Sequence, residues 1–216
     1  MKLAQYFQLK LVRLAAYVVP VLLSTLLTAC GSTETLESSS SKGFVLWNGE
    51  DKASGSSWAQ ANVSSDSAEV AVETGVAHSG STALHFKAAG SQWMGFGWNW
   101  HAYAGGVGTD ATEYANISFM IKVEGEKLPR PNSITAQLAS AGPGDQRSKS
   151  VNIADFGGEN AVNGEWHKIT MPLAVFLAKS DDSDLLDPAL LSELSIGSWS
   201  ADYINFSIYI DTIALE

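Results

Sequence analysis

The chain has 216 residues, with 13 basic and 23 acidic side chains, four histidines and one cysteine. Its net charge of −10 makes a surface that repels nucleic-acid phosphates and anionic lipid headgroups, so no nucleic-acid partner is expected. A single cysteine excludes a disulfide within the chain.

The chain starts basic and apolar. Lys2, Lys10 and Arg13 are the only charges in the first 29 residues, and residues 14–27 are apolar apart from Pro20, Ser24 and Thr25. A positive start followed by a short apolar run is the layout of a secretory signal, and it is short for a spanning helix, which needs roughly 20 apolar residues. The run closes on Leu27-Thr28-Ala29-Cys30, which resembles the lipobox of bacterial lipoproteins. That resemblance implies export, lipid on the Cys30 sulfur and cleavage just before it, so that the mature protein is anchored to a membrane. Gly31 stands where an aspartate would resemble the inner-membrane retention signal, so sorting to the outer membrane is expected. Residues 31–42 are mostly Ser, Thr, Gly and Glu and cannot bury enough apolar surface to fold, as in a flexible tether. Residues 43–216 are then one domain of ordinary size. The leader holds three of the basic residues and no acid, so the mature chain carries −13. A neutral partner suits it.

Past the tether, short alternating runs are bounded by Gly, Asn, Ser and Pro, the pattern of an all-β domain. Strands are predicted at 44–47, 69–73, 82–87, 93–100, 116–123, 134–140, 149–153, 166–171, 194–199 and 204–215. Ile117, Phe119, Ile121 and Val123 share one face of their strand, with Ser118, Met120 and Lys122 on the other. Ile204, Phe206, Ile208 and Ile210 oppose Asn205, Ser207 and Tyr209 in the same way. One buried face per strand is what a two-sheet sandwich demands. Asp187-Pro188 reads as an N-cap with Pro at the first helical position, which predicts a short helix within 187–193.

Several stretches carry a family resemblance. His78-Ser79-Gly80-Ser81-Thr82-Ala83-Leu84 resembles the H-S-G-x-x-A-L lead-in to a strand of carbohydrate-binding jelly rolls. The segment from Asp110 through Tyr114 and Ile117 to Lys122 resembles their D-L-S-x-Y-x-x-L-S-F-x-I-K strand. Gly164-Glu165-Trp166-His167-Lys168-Ile169 and the closing Ile208-Tyr209-Ile210-Asp211-Thr212-Ile213 resemble their G-x-W-x-x-I and I-Y-I-D-x-I endings. In this order the motifs are similar to the galactose-binding-like β-sandwich, in particular to family 11 carbohydrate-binding modules and the C-terminal sandwich of bacterial exo-β-glucanases. The fold implied is a two-sheet jelly roll, and the function a non-catalytic, membrane-anchored carbohydrate-binding protein.

A jelly-roll assignment places 82–87, 116–123, 166–171 and 204–215 in one sheet and 93–100, 134–140, 149–153 and 194–199 in the other. In the resembled families sugars lie across the outer face of the second sheet. Alternation then turns Met94, Phe96 and Trp98 inward and Trp93, Asn99 and His101 outward. On the neighbouring strands it turns Thr135, Gln137, Asn152 and Trp199 outward. The axial C–H groups of a pyranose pack on an indole, while its hydroxyls need amide and hydroxyl partners. The face therefore suits a neutral glycan.

The resemblance also implies a structural Ca²⁺, with Glu50 or Asp51 and Asp211 as oxygen ligands of the kind that ion takes. No strand lines up two carboxylates as glycoside hydrolases do, and no G-x-S-x-G or zinc spacing is present; no enzyme is expected. The alternative is a structural envelope lipoprotein that binds a protein partner. For the glycan binder itself, a partner glycoside hydrolase or envelope protein is conceivable.

Overall fold

The structure, a computed structural model, describes residues 43–50, 55–100, 107–141, 146–178 and 186–216. The leader, Cys30 and the tether lie outside the described residues, as do Asp51 and His101. The described chain is mostly β, with almost no helix. Its strands are β1 (Phe44–Trp47), β2 (Ser56–Ala61), β3 (Ser67–Thr74), β4 (Thr82–Asn99), β5 (Asn116–Lys127), β6 (Ile134–Ser140), β7 (Gln146–Arg147), β8 (Val151–Asn152), β9 (His167–Pro172) and β10 (Leu191–Leu215). The one α-helix among the described residues is the five-residue α1 (Leu173–Leu177).

Two strands organise the rest. The first half of β4 pairs with the second half of β10, and this half-sheet is flanked by β3 on one side and by β5 and β9 on the other. The second half of β4 pairs with the first half of β10, flanked by β2 and by β6 with its short partners β7 and β8. The sheet membership expected from the sequence is therefore correct, but the sheets are not separate. β4 and β10 pair on both sides of the bend, so hydrogen bonding makes one ten-stranded sheet folded into two layers.

Each fold lies where the sequence reads as a turn. On β4, Gly90 and Gln92 take φ values of 152° and 111°, and Asp66 Oδ2 accepts the Ser91 N–H at 3.1 Å. On β10, the register shifts between Ser200 and Ile204. The expected breaks at 88–92 and 200–203 are bends within continuous strands, because the ladder resumes on the far side with the same partner.

The core lies between the layers. Phe86 of one stacks on Phe96 of the other with centroids 4.5 Å apart, and Trp47 packs on Trp98 at 4.6 Å. Ile117, Phe119, Ile121 and Val123 are all buried, as are Ile204, Phe206, Ile208 and Ile210, so alternation chose the inner faces correctly.

Other expectations need correction. The strand expected at 149–153 shrinks to β8, because Asn152 caps a 3-10 turn over Ile153–Phe156 by accepting the Ala154 N–H. The expected helix within 187–193 is one 3-10 turn, Pro188–Leu190. Its predicted cap is present, with Asp187 accepting from Ala189 N, but Leu191 already belongs to β10. Neither β2 nor α1 was foreseen.

Candidate functional site

The outer face of the second layer is built in rows. Antiparallel register places Trp58, Gly97, Ser195 and Gln137 side by side across β2, β4, β10 and β6. The next row is Gln60, Gly95, Gly197, Thr135 and Asn152. Trp93 and Trp199 face each other one row further on. Directly opposed residues in an antiparallel pair project from the same face, so every one of these residues points outward.

The glycines decide what the tryptophans do. A β-carbon at Gly97 would lie 2.7 Å from Cε2 of Trp58, one at Gly95 2.6 Å from Cζ2 of Trp93, and one at Gly197 2.7 Å from Nε1 of Trp93. Two indoles therefore lie down on the bare backbone of the central strands. Trp93 bridges β4 and β10, and Trp58 reaches from the edge strand onto β4. With any side chain at the three glycines the rings would stand up from the sheet.

Above this floor is an open groove of about 350 Å³, lined by Trp58, Trp93, Gln60, Thr135, Gln137 and Ser150 among others. Gln137 donates from Nε2 to Ser148 O at 2.6 Å, which fixes the direction of its amide. Arg147 and Glu193 close one end. The guanidinium Nη1 is 2.8 Å from Glu193 Oε1, whose side chain is only 5% exposed, and Cζ lies 5.9 Å from the Trp58 ring centroid. The pair is internally neutral, so the groove offers indole faces, amides and hydroxyls without a net charge. Trp58 Nε1 is buried and has no hydrogen-bond partner, so packing on Gly97 and contact with Arg147 hold that ring.

Of the residues expected to bind sugar, the structure brings Trp93, Thr135 and Gln137 together in the groove. Asn99 lies at the end of its strand opposite Ser56 and Glu193 and does not line the groove. Asn152 faces outward but is committed elsewhere: it caps the 3-10 turn, and its Nδ2 donates to Asn132 O at 2.7 Å. Trp199 is 52% exposed and lines a separate cavity of about 230 Å³ next to the groove. The sequence reading missed Trp58, Gln60 and Arg147. Trp58 sits between small and polar residues, with no apolar alternation to mark a strand.

Glu50 and Asp211 meet at the loop before β4. Asp211, fully buried, accepts the N–H groups of His78 and Ser79 through Oδ2 at 2.8 and 2.9 Å. Glu50 accepts from the Ser81 and Thr82 backbones and the Ser81 hydroxyl. The Ser81 backbone N–H holds the Glu50 carboxyl below its ordinary value, helped by the Ser81 hydroxyl and the Thr82 N–H. Gly49 lets Asp211 Oδ1 and Thr82 O approach: a β-carbon there would lie 2.5 and 2.7 Å from them. This oxygen-only donor set is of the type Ca²⁺ takes. Among the described residues, no three acidic, His or Cys side chains gather, and the two carboxylates already fasten the loop.

The family description "carbohydrate binding domain 30" matches residues 44–216. A family 30 carbohydrate-binding module of the cellulosomal cellulase Cel9D-Cel44B of Clostridium thermocellum superposes with a TM-score of 0.57 at 14% identity, over 80% or more of both chains (81% of this one, 96% of that one). A family 11 module from Clostridium thermocellum, in complex with a β-1,3-1,4-mixed-linked tetrasaccharide, superposes with a TM-score of 0.53 at 16% identity, covering 80% of this chain and 94% of that one. A β-1,2-glucanase from Parabacteroides distasonis gives a TM-score of 0.59 at 13% identity, with 80% of this chain covering 25% of the enzyme. No curated protein matches the sequence.

Proposed function

Because the chain belongs to the carbohydrate binding domain 30 family, we propose that it is a non-catalytic protein that binds a neutral glycan in the Trp58–Trp93 groove and is held to the outer membrane by lipid on Cys30. The observation that carries the glycan reading is the pair of indoles laid on Gly95, Gly97 and Gly197 beneath an open groove. An indole lying on the sheet offers its free face to the C–H groups of a sugar ring. Gln60, Thr135, Gln137 and Ser150 stand beside it with the acceptors and donors that hydroxyls need. The groove is open to solvent, and the Arg147–Glu193 pair leaves it without net charge. The family 11 neighbour's β-1,3-1,4-mixed-linked tetrasaccharide makes a soluble mixed-linked β-glucan the first ligand to try.

Affinity electrophoresis through that β-glucan tests the reading. Wild type should be retarded, and Trp93→Ala and Trp58→Ala should each run as in a sugar-free gel. Loss of one stacking aromatic at a binding hot spot typically costs about 2 kcal/mol, roughly thirtyfold in affinity. Retardation should persist at high salt, because no net charge is involved. If folded wild type is not retarded by any neutral polysaccharide, the glycan reading is wrong and a protein partner takes its place.

Calcium at the Glu50–Asp211 clip is kept as a second proposal, supported by the oxygen-only donors there. A melting temperature raised by calcium over chelator-treated protein, and insensitive to calcium in Asp211→Ala, would support it. An unchanged melting temperature leaves both carboxylates with loop-holding alone.

A further inference from the structure

We propose a second ligand site, on the outer face of the first layer, where a cavity beside the loop before β4 takes the ring of a small neutral sugar. It does not depend on what the groove of the second layer binds.

The sheet opens there for a visible reason. Met120 of β5 pairs with Asp211 of β10 and Ser118 with Ala214, so the register shifts by one residue between the two pairs. The extra residue on β10 makes a bulge. Thr212 within it has a φ of 46°, the left-handed region that a β-branched side chain rarely enters. The β5–β10 ladder is interrupted at this point, and a cavity of about 310 Å³ lies at the gap, a size found among small-molecule sites.

Its walls are held in place by the protein itself. Met120 and Ala214 supply an apolar floor. On one side Glu216 Oε1 accepts the Ser118 hydroxyl at 2.8 Å and Lys168 Nζ at 2.6 Å. On the other, His78 stands edge-on to Trp166 with ring centroids 5.9 Å apart, and the His78 and Ser79 N–H groups are fastened to Asp211. Neither Glu50 nor Asp211 lines the cavity, so the site is separate from the calcium clip.

The polar groups select the ligand. An ammonium has three donors, and Glu216 takes one from Lys168. Both bonds to Glu216 land on Oε1, which leaves Oε2 to accept. A donor beside an acceptor matches a pair of adjacent sugar hydroxyls, each of which both donates and accepts. Thr212 donates its hydroxyl to Asp211 Oδ1 at 3.1 Å, so its oxygen faces a ligand as an acceptor. The floor meets the C–H side of the ring. Lys168, first by its hydrogen bond, holds the Glu216 carboxyl below its ordinary range. Glu216 is therefore charged at neutral pH and repels an anionic ligand, while Lys168 repels a cation. Because the groove and this cavity open on opposite layers, both sites can be filled at once.

Methionine methyl groups labelled with ¹³C supply a local test. Met120 lines the cavity, whereas Met94 and Met171 are buried in the core. The protein is titrated with the methyl glycosides of glucose, galactose, mannose and xylose. The Met120 signal should move saturably with at least one of them. Ser79→Trp fills the cavity from an exposed position and keeps the N–H that Asp211 holds, so it should abolish the movement. Lys168→Ala should weaken binding about tenfold, the loss of one hydrogen bond to a charged group. Both variants should run through β-glucan gels as wild type does. A Met120 signal that no sugar moves, or a movement that survives Ser79→Trp or is indifferent to Lys168→Ala, overturns the site. Wild type that is not retarded by β-glucan while its Met120 signal still moves is a different result: the groove reading fails and this one stands.

Discussion

At Gly97 and Gly197 a single hydrogen atom stands between a flat binding floor and an ordinary sheet surface. Neither backbone has a positive φ, so alanine is tolerated by the main chain and its only effect is through the added methyl. That methyl would lie 2.7 Å from Cε2 of Trp58 in one case and 2.7 Å from Nε1 of Trp93 in the other, inside the contact distance of about 3.5–4.0 Å. Gly97→Ala should lift Trp58 and Gly197→Ala should lift Trp93. We expect each variant to keep its melting temperature within a few degrees, to change its tryptophan fluorescence, and to bind β-glucan roughly tenfold more weakly, about 1.4 kcal/mol. Unchanged fluorescence and unchanged affinity in both would show that the rings do not depend on the glycines. Trp93 was legible as an outward aromatic because Met94, Phe96 and Trp98 alternate beside it. Trp58 was not, because its placement depends on an edge strand of Ser, Ala and Gln that pairs with β4 only through the tertiary fold.

Among the elements, the loop before β4 depends on charge. Asp211 and Glu50 satisfy backbone N–H groups of His78, Ser79, Ser81 and Thr82. Asp211→Ala would strand two N–H groups beside a buried site, at about 1–3 kcal/mol for each group left unsatisfied, and should lower the melting temperature by several degrees. Glu50 gives the pH dependence. Its folded-state pKa is depressed relative to the ordinary 4.5, so the stability it adds is present above that value and is lost as pH falls through the folded one. Glu50→Gln should therefore flatten the acid limb of a melting-temperature profile below about pH 4.5; an acid limb identical to that of wild type would remove Glu50 from the account. The elements also show where local pattern misleads. Gly90, Ser91 and Gln92, like Ser200–Tyr203, carry turn composition, yet the chain bends there and rejoins the same partner strand beyond the bend. The same flexibility that ends a strand in isolation lets a paired one fold over.

Over the whole molecule, the proposed function gives anchoring and binding to separate parts of the chain. Cys30→Ala should abolish fatty-acid labelling and detergent-phase partitioning in cells while residues 43–216, produced alone, keep their glycan binding; equal labelling of wild type and Cys30→Ala would end the lipoprotein proposal. Under that proposal the mature chain would carry −13, a charge that disfavours polyanions. What the sequence by itself determined was much of what depends on near neighbours: the alternation and the inner and outer face of the strands it marked, and the Asp187 cap. These follow from side-chain alternation and backbone preference, which a few consecutive residues express in full. The membership of the two layers came from the family resemblance. The tertiary structure alone decided which outward residues meet. Register across four strands brought Trp58, Trp93, Thr135 and Gln137 into one groove and set Trp199 at a bend beside the groove, and the fold set Asn152 Nδ2 on Asn132 O. Such juxtapositions join residues tens of positions apart, and in the case of Trp93 and Trp199 more than a hundred, and no local pattern encodes them; they are fixed only when the ladder forms and the core between the layers closes.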